Sequence, residues 1–264
     1  MSPPLSPSAK APERFLGRVE YYRKYRPGYP EGLIAWLREV SALKPAHRVA
    51  DIGSGTGLLA ELFLRHGYPV VGVEPNPEMR KTAEAHLKRY PRFRSIDGRA
   101  EATTLGNRSV DLIVAGQAFH WFRIDRAREE FQRICNPPAF AVLVWNQRKT
   151  ESTGFLRDYE ELLLRHGTDY ARVRHQNIGR DQLQAFFGPQ AFHRKTLANS
   201  QVFDREGLIG RTLSCSFAPL PGHPGHLSLM RALDRIFEEW QVEGRVTFEY
   251  DTLVYAGRLH PPRP

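Results

Sequence analysis

The chain of 264 residues has 41% hydrophobic and 25% charged residues, an ordinary composition that excludes an intrinsically disordered protein. Its longest apolar run, AFAVLVW at 139–145, is far shorter than the roughly 20 residues that span a bilayer, so we expect a cytoplasmic protein without a membrane span. The net charge of +9 comes from scattered lysines and arginines, which disfavours nucleic acid as a partner. The two cysteines, Cys135 and Cys215, lack the spacing of a metal site or a disulfide framework.

The chain divides into a short N-terminal segment and one long domain. Residues 1–12 are rich in proline and lack the apolar core of a signal peptide, so we predict a disordered leader. The remainder, residues 13–264, is predicted to fold as a single domain. It begins with a cluster of tyrosine, arginine and proline, RVEYYRKYRPGYP at 18–30, whose last residues exclude a continuing helix.

Strand and helix patterns alternate along the next 116 residues of the chain, up to residue 146. The predicted strands are 47–53, 68–74, 93–97, 109–115 and 139–145. The predicted helices are 31–43, 58–67, 77–89 and 123–134. Asn76 is in position to cap the helix that begins at Pro77. This alternation predicts a parallel sheet with right-handed crossovers, and runs that are apolar throughout, such as VDLIVA, indicate strands covered on both faces.

The pattern changes after residue 146. The predicted elements there are helices at 154–167, 180–188 and 227–240 and strands at 192–203 and 245–259. We predict that the helices within about 151–187 form a cap embedded in the domain, over the ligand edge of the sheet. The final strands then complete a Rossmann-like, doubly wound, mostly parallel sheet of seven strands.

The stretch VADIGSGTGL at 49–58 runs from a buried strand into a glycine loop. A phosphate loop requires a lysine before the helix, and a dinucleotide loop requires a small residue at position 58, where this chain has Leu58. Asp51 at the strand end disfavours a pyrophosphate but is suited to orienting a ligand amine. Glu74, at the end of the second strand, is suited to accepting hydrogen bonds from ribose hydroxyls. The sequence therefore predicts a ligand with a ribose and an amine and without a phosphate beside the loop.

Four segments in this order resemble the motifs of class I S-adenosylmethionine-dependent methyltransferases. VADIGSGTG is similar to their first motif and VVGVEPNPEM to their second, while DGRAEA at 97–102 resembles the segment that holds adenine and VDLIVAGQAFHWF at 110–122 resembles the fourth-strand motif. YRPGYP, GRAEAT and QAFHWF together are most similar to the small-molecule branch that includes trans-aconitate methyltransferase. The resemblance implies S-adenosyl-L-methionine as cofactor and methyl transfer to a small-molecule substrate.

The resemblance also implies residues that bind the cofactor. These are Tyr25, Arg26, Asp51, Gly53, Ser54, Gly55, Gly57, Glu74, Asn76, Met79, Ala100, Glu101, Gln117 and Ala118. The glycine loop lies along the methionine portion, Asp51 holds its amine and Glu74 binds the ribose. Many relatives have aspartate where this chain has Arg99, so we expect the exocyclic amine of adenine to contact Glu101 instead.

The substrate side is predicted from two aromatic segments. Its candidate residues are Tyr21, Tyr22, His120 and Trp121. The tyrosine cluster predicts a lid whose aromatic faces attract the sulfonium, with Arg26 paired to the cofactor carboxylate; the alternative is a packed N-terminal arm. His120 is a candidate general base, or else it packs before the next helix, since methyl transfer to a carboxylate needs no base.

The acceptor and the partners stay open at this point. Arginines in or near the predicted cap suit a carboxylate acceptor, namely Arg165, Arg172, Arg174 and Arg180. The alternatives are a nucleic-acid methyltransferase and a non-catalytic module that binds the cofactor or a partner. NPPAF at 136–140 resembles the Asn-Pro-Pro-aromatic motif of DNA amino-methylating enzymes, but it follows the wrong helix and has alanine in the fourth position. We interpret it as a turn. The pattern predicts neither the methylated atom nor an oligomeric state.

Overall fold

The computed structural model describes residues 18–170, 179–188 and 192–259. The predicted leader, and Arg172 and Arg174 of the predicted cap, lie outside these residues. The helices are α1 (Val19–Tyr25), α2 (Gly32–Ser41), α3 (Leu58–Arg65), α4 (Pro77–Leu87), α5 (Ile124–Ile134), α6 (Gly154–His166), α7 (Arg180–Phe187), α8 (Arg205–Leu213) and α9 (His226–Trp240). The strands are β1 (Val49–Ile52), β2 (Val70–Val73), β3 (Phe93–Ile96), β4 (Val110–Gly116), β5 (Cys135–Arg148), β6 (Phe192–Phe203) and β7 (Val246–Arg258). No helix in the described ranges combines the length and hydrophobicity that a bilayer crossing requires.

The strands form one seven-stranded sheet in the order β3-β2-β1-β4-β5-β7-β6. Strands β1 to β5 pair in parallel, whereas β7 is antiparallel to both β5 and β6. The predicted Rossmann-like, doubly wound and mostly parallel sheet is confirmed. The strand order reverses between β1 and β4, and sheets of this kind bind ligands at the carboxyl ends of the strands beside such a reversal.

The central strands are apolar on both faces because helices cover both faces. Every residue of β1 is buried, as is most of β4. One face of the sheet packs against α2 and α3, and the other packs against α5 and α7. This two-sided burial explains why the strand sequences show continuous apolar runs rather than alternation.

A third hydrophobic cluster lies beside the first half of β7. It joins α6, α8 and α9 to the strand residues Phe248 and Tyr250. Helix α6 contacts α9, whereas α7 contacts α5. The two helices predicted to form one cap over about 151–187 therefore pack in different clusters. The helical layer next to the carboxyl end of β5 is made by α6, α8 and α9.

Three segments differ from the predicted elements. Helices α1 and α8 are not among the predictions, because their apolar faces become recognisable only when they pack on each other. Strand β5 begins at Cys135, so 136–140 is the irregular first part of this strand, and the predicted turn is wrong. The register between β4 and β5 shifts there, and Asn136 Nδ2 donates to Asp111 Oδ1 at 2.8 Å, which holds the irregular segment beside β4.

Candidate functional site

The glycine loop after β1 packs closely against the loop after β4. Gly53 has a positive φ of 69°, and a Cβ added there lies only 2.6 Å from the Cβ of Ala118. Glycine is therefore required for both conformation and space. Gly57 is the N-cap of α3, and a Cβ added there lies 2.6 Å from Leu87 Cδ1. Gly57 thus serves the packing of α3 on α4, while Gly53 and Gly55 line the pocket described below.

Glu74 ties the loop after β1 to the loop after β2. Its Oε2 accepts a hydrogen bond from the Gly55 amide at 3.0 Å, and its Oε1 accepts one from the Asn76 amide at 2.9 Å. The side chain is 9% exposed, and burial raises the pKa of this carboxyl above its ordinary value. Each carboxylate oxygen keeps one further lone pair for a ligand donor.

Asn76 confirms the predicted helix cap. Its Oδ1 accepts from the amides of Glu78 and Met79 at 2.9 and 3.1 Å, while Pro77 occupies the first helical position. This arrangement satisfies two of the free amides at the start of α4. It also fixes Met79, which is buried, in the wall of the pocket.

Asp51 is a buried carboxylate without a hydrogen-bond partner. It lies next to the last residue of the central strand β1 and is 1% exposed, and neither carboxylate oxygen has a partner in the described part of the chain. Burial raises the pKa of Asp51 to about 7, the Ala60 amide offsets part of this increase, and the negative charge of Glu74 adds to it. The Ala60 amide faces the carboxylate without meeting the geometry of a hydrogen bond. A buried acceptor of this kind favours a ligand that brings a donor.

The end of β4 has a strained backbone. Gln117 adopts a positive φ of 56°, which costs a non-glycine residue about 1–3 kcal/mol and is concentrated at functional sites. Its amide donates to Val144 O at 2.9 Å, and its Nε2 donates to Asn146 O at 3.1 Å. Strand β5 therefore holds the strained residue in place.

The loop after β3 is fixed by two carboxylates. Glu130 Oε1 accepts from the amide and the hydroxyl of Thr103 at 2.8 and 2.6 Å. Glu101 Oε1 accepts from the Arg123 amide at 2.7 Å. These contacts hold Ala100 and Glu101 at the same pocket as the glycine loop.

These elements enclose one pocket at the carboxyl edge of the sheet, with a volume of about 960 Å³ that includes its open mouth. The predicted residues that line it are Tyr22, Gly53, Gly55, Glu74, Asn76, Met79, Ala100, Glu101, Gln117, Ala118 and Trp121. The lining residues outside the predicted set are Pro75, Arg99, Gly116 and Phe122. Each of these four residues lies inside one of the motifs, next to a predicted residue, so the motifs could have identified them.

Two predicted residues of the tyrosine cluster lie away from the pocket. Tyr25 Oη donates to Glu206 Oε1 at 3.0 Å, and its ring packs edge-on against Phe203. Tyr21 stacks on Tyr25 with ring centroids 6.3 Å apart. Because Tyr25 packs against α8 and hydrogen-bonds to it, its side chain does not line the pocket. The alternative of a packed arm therefore describes Tyr21 and Tyr25, whereas Tyr22 lines the pocket.

Five other predicted residues do not line the pocket, namely Asp51 and Gly57, described above, and Arg26, Ser54 and His120. The guanidinium of Arg26 lies 5.0 Å from the Tyr22 ring, and its Nη2 donates to Ser214 O at 3.0 Å. Ser54 lies against Gly72 of β2. The imidazole of His120 packs on Trp121 with centroids 4.7 Å apart. These positions bring Arg26 and His120 close to the aromatic wall of the pocket.

The comparisons with known proteins agree with this geometry. Residues 50–143 match the model of a methyltransferase domain family. An uncharacterised methyltransferase of Mycobacterium tuberculosis is 37% identical over 153 residues, which are 58% of this chain and 60% of that protein. The matched region thus covers less than two thirds of the length of this relative.

The solved structures that resemble the chain share its fold. A structure from Anaeromyxobacter dehalogenans, named as a type II methyltransferase, has a TM-score of 0.61 and 23% identity over 90% of this chain and 99% of that one. A geranyl diphosphate methyltransferase in complex with S-adenosylmethionine has a TM-score of 0.50 and 13% identity, over 87% of this chain and 85% of that one. At these identities the likeness concerns the fold alone.

Proposed function

We propose that the chain transfers a methyl group from S-adenosylmethionine to a small-molecule acceptor, because residues 50–143 match the model of the methyltransferase domain family and a solved methyltransferase that shares the fold is in complex with this cofactor. The observation that carries the proposal is the single pocket that four separate motifs line. The class I resemblance is confirmed over this domain. The narrower likeness to the trans-aconitate branch stays a prediction.

The charged groups of the site fit the proposed cofactor. Asp51 is buried with both oxygens free of partners among the described residues, which suits the α-amino group. Glu74 keeps acceptor capacity beyond its two backbone amides, which suits the ribose hydroxyls. The two carboxylates would repel a phosphate placed between them. This pair supports a cofactor with an amine and a ribose.

Other groups of the pocket wall fit an adenine ring. Met79 and Ala100 supply apolar surface. Oε1 of Glu101 accepts from the Arg123 amide, and Oε2 accepts no hydrogen bond from the described residues. Glu101 would accept from the exocyclic amine. Arg99, also in the wall, supplies a guanidinium whose flat face can stack on an aromatic ring.

When bound, S-adenosylmethionine supplies a methyl group that its sulfonium already activates. The task of the chain is to orient the reactants and to exclude water. Tyr22, Trp121 and Phe122 form an aromatic wall that attracts positive charge. Gln117, held by Asn146, fixes the strand end between that wall and the glycine loop. Catalysis by His120 as a base stays a prediction.

The proposed acceptor is a small molecule, because the pocket is a confined cavity with aromatic walls rather than an extended basic groove. A carboxylate is the acceptor group that the resemblance to the trans-aconitate branch implies. The arginines predicted for this role do not support it, since Arg165 lies in an exposed groove between α6 and α9 and Arg180 is exposed on α7.

The proposal is tested by following a radiolabelled methyl group from S-adenosylmethionine. The purified chain is incubated with a mixture of cellular metabolites that passes a dialysis membrane, and separately with RNA, DNA and protein fractions. We expect label in small molecules only, and much less with the Glu74→Ala variant. Label in nucleic acid would support the alternative acceptor. Absence of transfer to every fraction by protein that binds the cofactor would support a non-catalytic module.

A further inference from the structure

One edge of the sheet ends in a long strand that has a partner on one side only. Strand β6 is last in the strand order and pairs with β7, and no other described segment pairs with it. The opposite edge strand, β3, has only 4 residues, whereas β6 has 12. Proteins usually protect a sheet edge by a short strand, a proline or a β-bulge, because free amides and carbonyls there pair with other chains. Strand β6 has no proline, and its register with β7 is continuous, so it lacks these three forms of protection.

The register of the sheet identifies the backbone groups that face the open edge. Lys149, the residue after β5, donates its amide to Glu249 O at 2.9 Å, so the odd-numbered residues of β7 hydrogen-bond towards β5. Alternate residues of a strand direct their backbone groups to opposite sides, and the even-numbered residues of β7 therefore bond towards β6. They lie opposite the odd-numbered residues of β6. The amides and carbonyls that point away from the sheet thus belong to Arg194, Thr196, Ala198, Ser200 and Val202.

The side chains of these five residues lie on one face of β6 and are exposed. Val202, an apolar residue, is 51% exposed. The other face of β6 is occupied, because Asn199 Nδ2 donates to Gly28 O at 2.9 Å and Gln201 Nε2 donates to Tyr25 O at 3.2 Å. The N-terminal arm therefore covers one face of the strand, while the open edge and the second face are accessible among the described residues.

The two ends of β6 carry opposite charges. Arg194 and Lys195 lie near its start, and Asp204 directly follows its end. Asp204 has an extended backbone with φ −75° and ψ −176°, so the direction of the strand continues through it. When two identical strands pair in antiparallel fashion, the start of each lies opposite the end of the other. A register centred on Asn199 places Arg194 opposite the partner's Asp204, and this ion pair occurs twice.

The same register also matches the remaining residues of the open edge. Thr196 lies opposite the partner's Val202, and Ala198 lies opposite the partner's Ser200. The outward amides and carbonyls of one copy therefore meet those of the other. Two β-branched side chains directly opposite each other stabilise a strand pair, and the small residues next to the centre leave room for close approach.

We propose that β6 is a dimerisation strand, through which two copies of the chain pair antiparallel about a two-fold axis at Asn199 and join their two sheets into one. A second copy fits better than another polypeptide because the edge is complementary to itself, as an isologous interface requires. Basic residues confined to the start of the strand select this register, whereas basic residues along its whole length would prevent pairing. No residue of β6 lines the pocket, so dimerisation is independent of the proposed function.

Sedimentation equilibrium of the full chain, from about 1 to about 100 μM protein, tests the proposal with Val202→Pro as the main variant. Proline is tolerated in an edge strand where the amide faces solvent, so the variant keeps the pairing of β6 with β7. It removes the amide that would donate to the partner's Thr196. We expect a dimer for the wild type and at least tenfold weaker dimerisation for Val202→Pro, a loss of about 1.4 kcal/mol or more.

Two charge variants test the register, each with a matched control. Ala198→Lys places a lysine of each copy about 7–8 Å apart across the axis, where like charges repel, and should weaken dimerisation at least tenfold. Its control is Thr247→Lys, on the same exposed face but one strand further from the edge. Arg194→Asp faces the partner's Asp204 and should have a similar effect, with Arg231→Asp on the exposed surface of α9 as control. Both controls should stay within about twofold of the wild type.

Three results would overturn the proposal. The first is a wild type that stays monomeric over the whole concentration range. The second is a dimer of unchanged affinity in Val202→Pro and Ala198→Lys, which would use another surface. The third is a mass that keeps rising with concentration, which indicates open assembly rather than a closed pair. Circular dichroism verifies that each variant is folded. If Val202→Pro is unfolded, tenfold losses in both Ala198→Lys and Arg194→Asp support the interface, and wild-type affinity in either overturns it.

Discussion

The two sides of the carboxyl edge of the sheet bury side chains of opposite charge. The side over β1 and β2 has buried carboxylates, Asp51 and Glu74, set among backbone amides. The side over β5 and β7 has buried arginines, such as Arg211 and Arg18, whose partners are mostly backbone carbonyls, a phenol and a thiol. The acidic side suits a ligand with an amine and hydroxyls. The arginines of the other side instead join the helices there to one another and to β7.

The difference also concerns how each side is held together. Gly55 reaches Glu74 across 19 residues of sequence, whereas Arg18 reaches the carbonyls that end α8 across nearly 200. The acidic side is built from strand-loop-helix units that are each local in sequence. The basic side exists only after α1, α6, α8 and β7 have come together. The following predictions test whether the two sides respond independently.

The largest effect is expected for Gly53→Ala. The new Cβ lies 2.6 Å from Ala118 Cβ at a positive φ, so the substitution combines strain with a clash and should destabilise the chain by about 3 kcal/mol. Gly222→Ala has a positive φ and no atom within 4 Å of its Cβ, and it should cost about 1 kcal/mol. Urea unfolding measures both. Equal effects would contradict the close approach of the two loops.

A somewhat smaller effect is expected for Asn146→Leu. The amide of Asn146 donates to Gly28 O at 3.0 Å and accepts from Thr252 Oγ1 at 2.6 Å, so it joins the N-terminal arm to β7. Leaving these buried groups without partners should cost about 2 kcal/mol. Thr252→Val removes one of these bonds and should cost about half as much. If Asn146→Leu unfolds at the same urea concentration as the wild type, the network does not hold the arm.

The next effect is a pH dependence confined to the acidic side. Asp51 has a pKa raised by burial to about 7, so its proton is retained in the folded chain over a range where the unfolded chain has lost it. Stability therefore falls as pH rises from the ordinary value of 3.8 to about 7. The ionised form is the one that accepts an amine. Affinity for S-adenosylhomocysteine should therefore be about tenfold weaker one pH unit below this pKa than one unit above it.

The Asp51→Asn variant is the control for that dependence. It should bind S-adenosylhomocysteine more weakly than the wild type at high pH and lose most of the change with pH. Calorimetry in buffers with different ionisation enthalpies should detect proton release on binding by the wild type below pH 7 and much less by the variant. A wild type without proton release would show that Asp51 is ionised before the ligand arrives.

The smallest effect compares two helix caps. Asn76→Ala removes the cap of α4 on the acidic side. Asp204→Ala removes the cap of α8, because Asp204 Oδ1 accepts from the Gly207 amide at 2.8 Å. Each should cost about 1 kcal/mol of stability. Only Asn76→Ala should also weaken binding of S-adenosylhomocysteine, because Asn76 lines the pocket. A similar loss of affinity in both variants would mean that the two sides are coupled.

The sequence predicted the acidic side because its signals are local. Asp51 lies near the end of β1, and Glu74 and Asn76 follow β2. Apolar runs mark both strands in the sequence, and parallel strands bring their ends to one edge. The resemblance of four local motifs was therefore enough to assign Gly53, Met79, Ala100 and Ala118 to one site, and all four line the same pocket.

The basic side was not predicted because nothing local marks it. Arg211 lies on a helix with no distinctive pattern, and its burial depends on the rings of Phe248 and Tyr250 about 40 residues later. The placement of Tyr25 failed for the same reason, since its partner Glu206 is 181 residues away. The strained φ of Gln117 is likewise imposed by β5, because glutamine has no intrinsic preference for that conformation.

The central claim is that the acidic side binds S-adenosylmethionine through Glu74. Its most direct test is calorimetric titration of S-adenosylhomocysteine into the wild type and Glu74→Ala, with Glu78→Ala, an exposed carboxylate on α4, as matched control and NAD as a control ligand. We predict micromolar binding to the wild type and to Glu78→Ala, at least tenfold weaker binding to Glu74→Ala, a loss of about 1.4 kcal/mol or more, and no binding of NAD. Equal affinity in all three proteins, or no binding to folded wild type, would contradict the account.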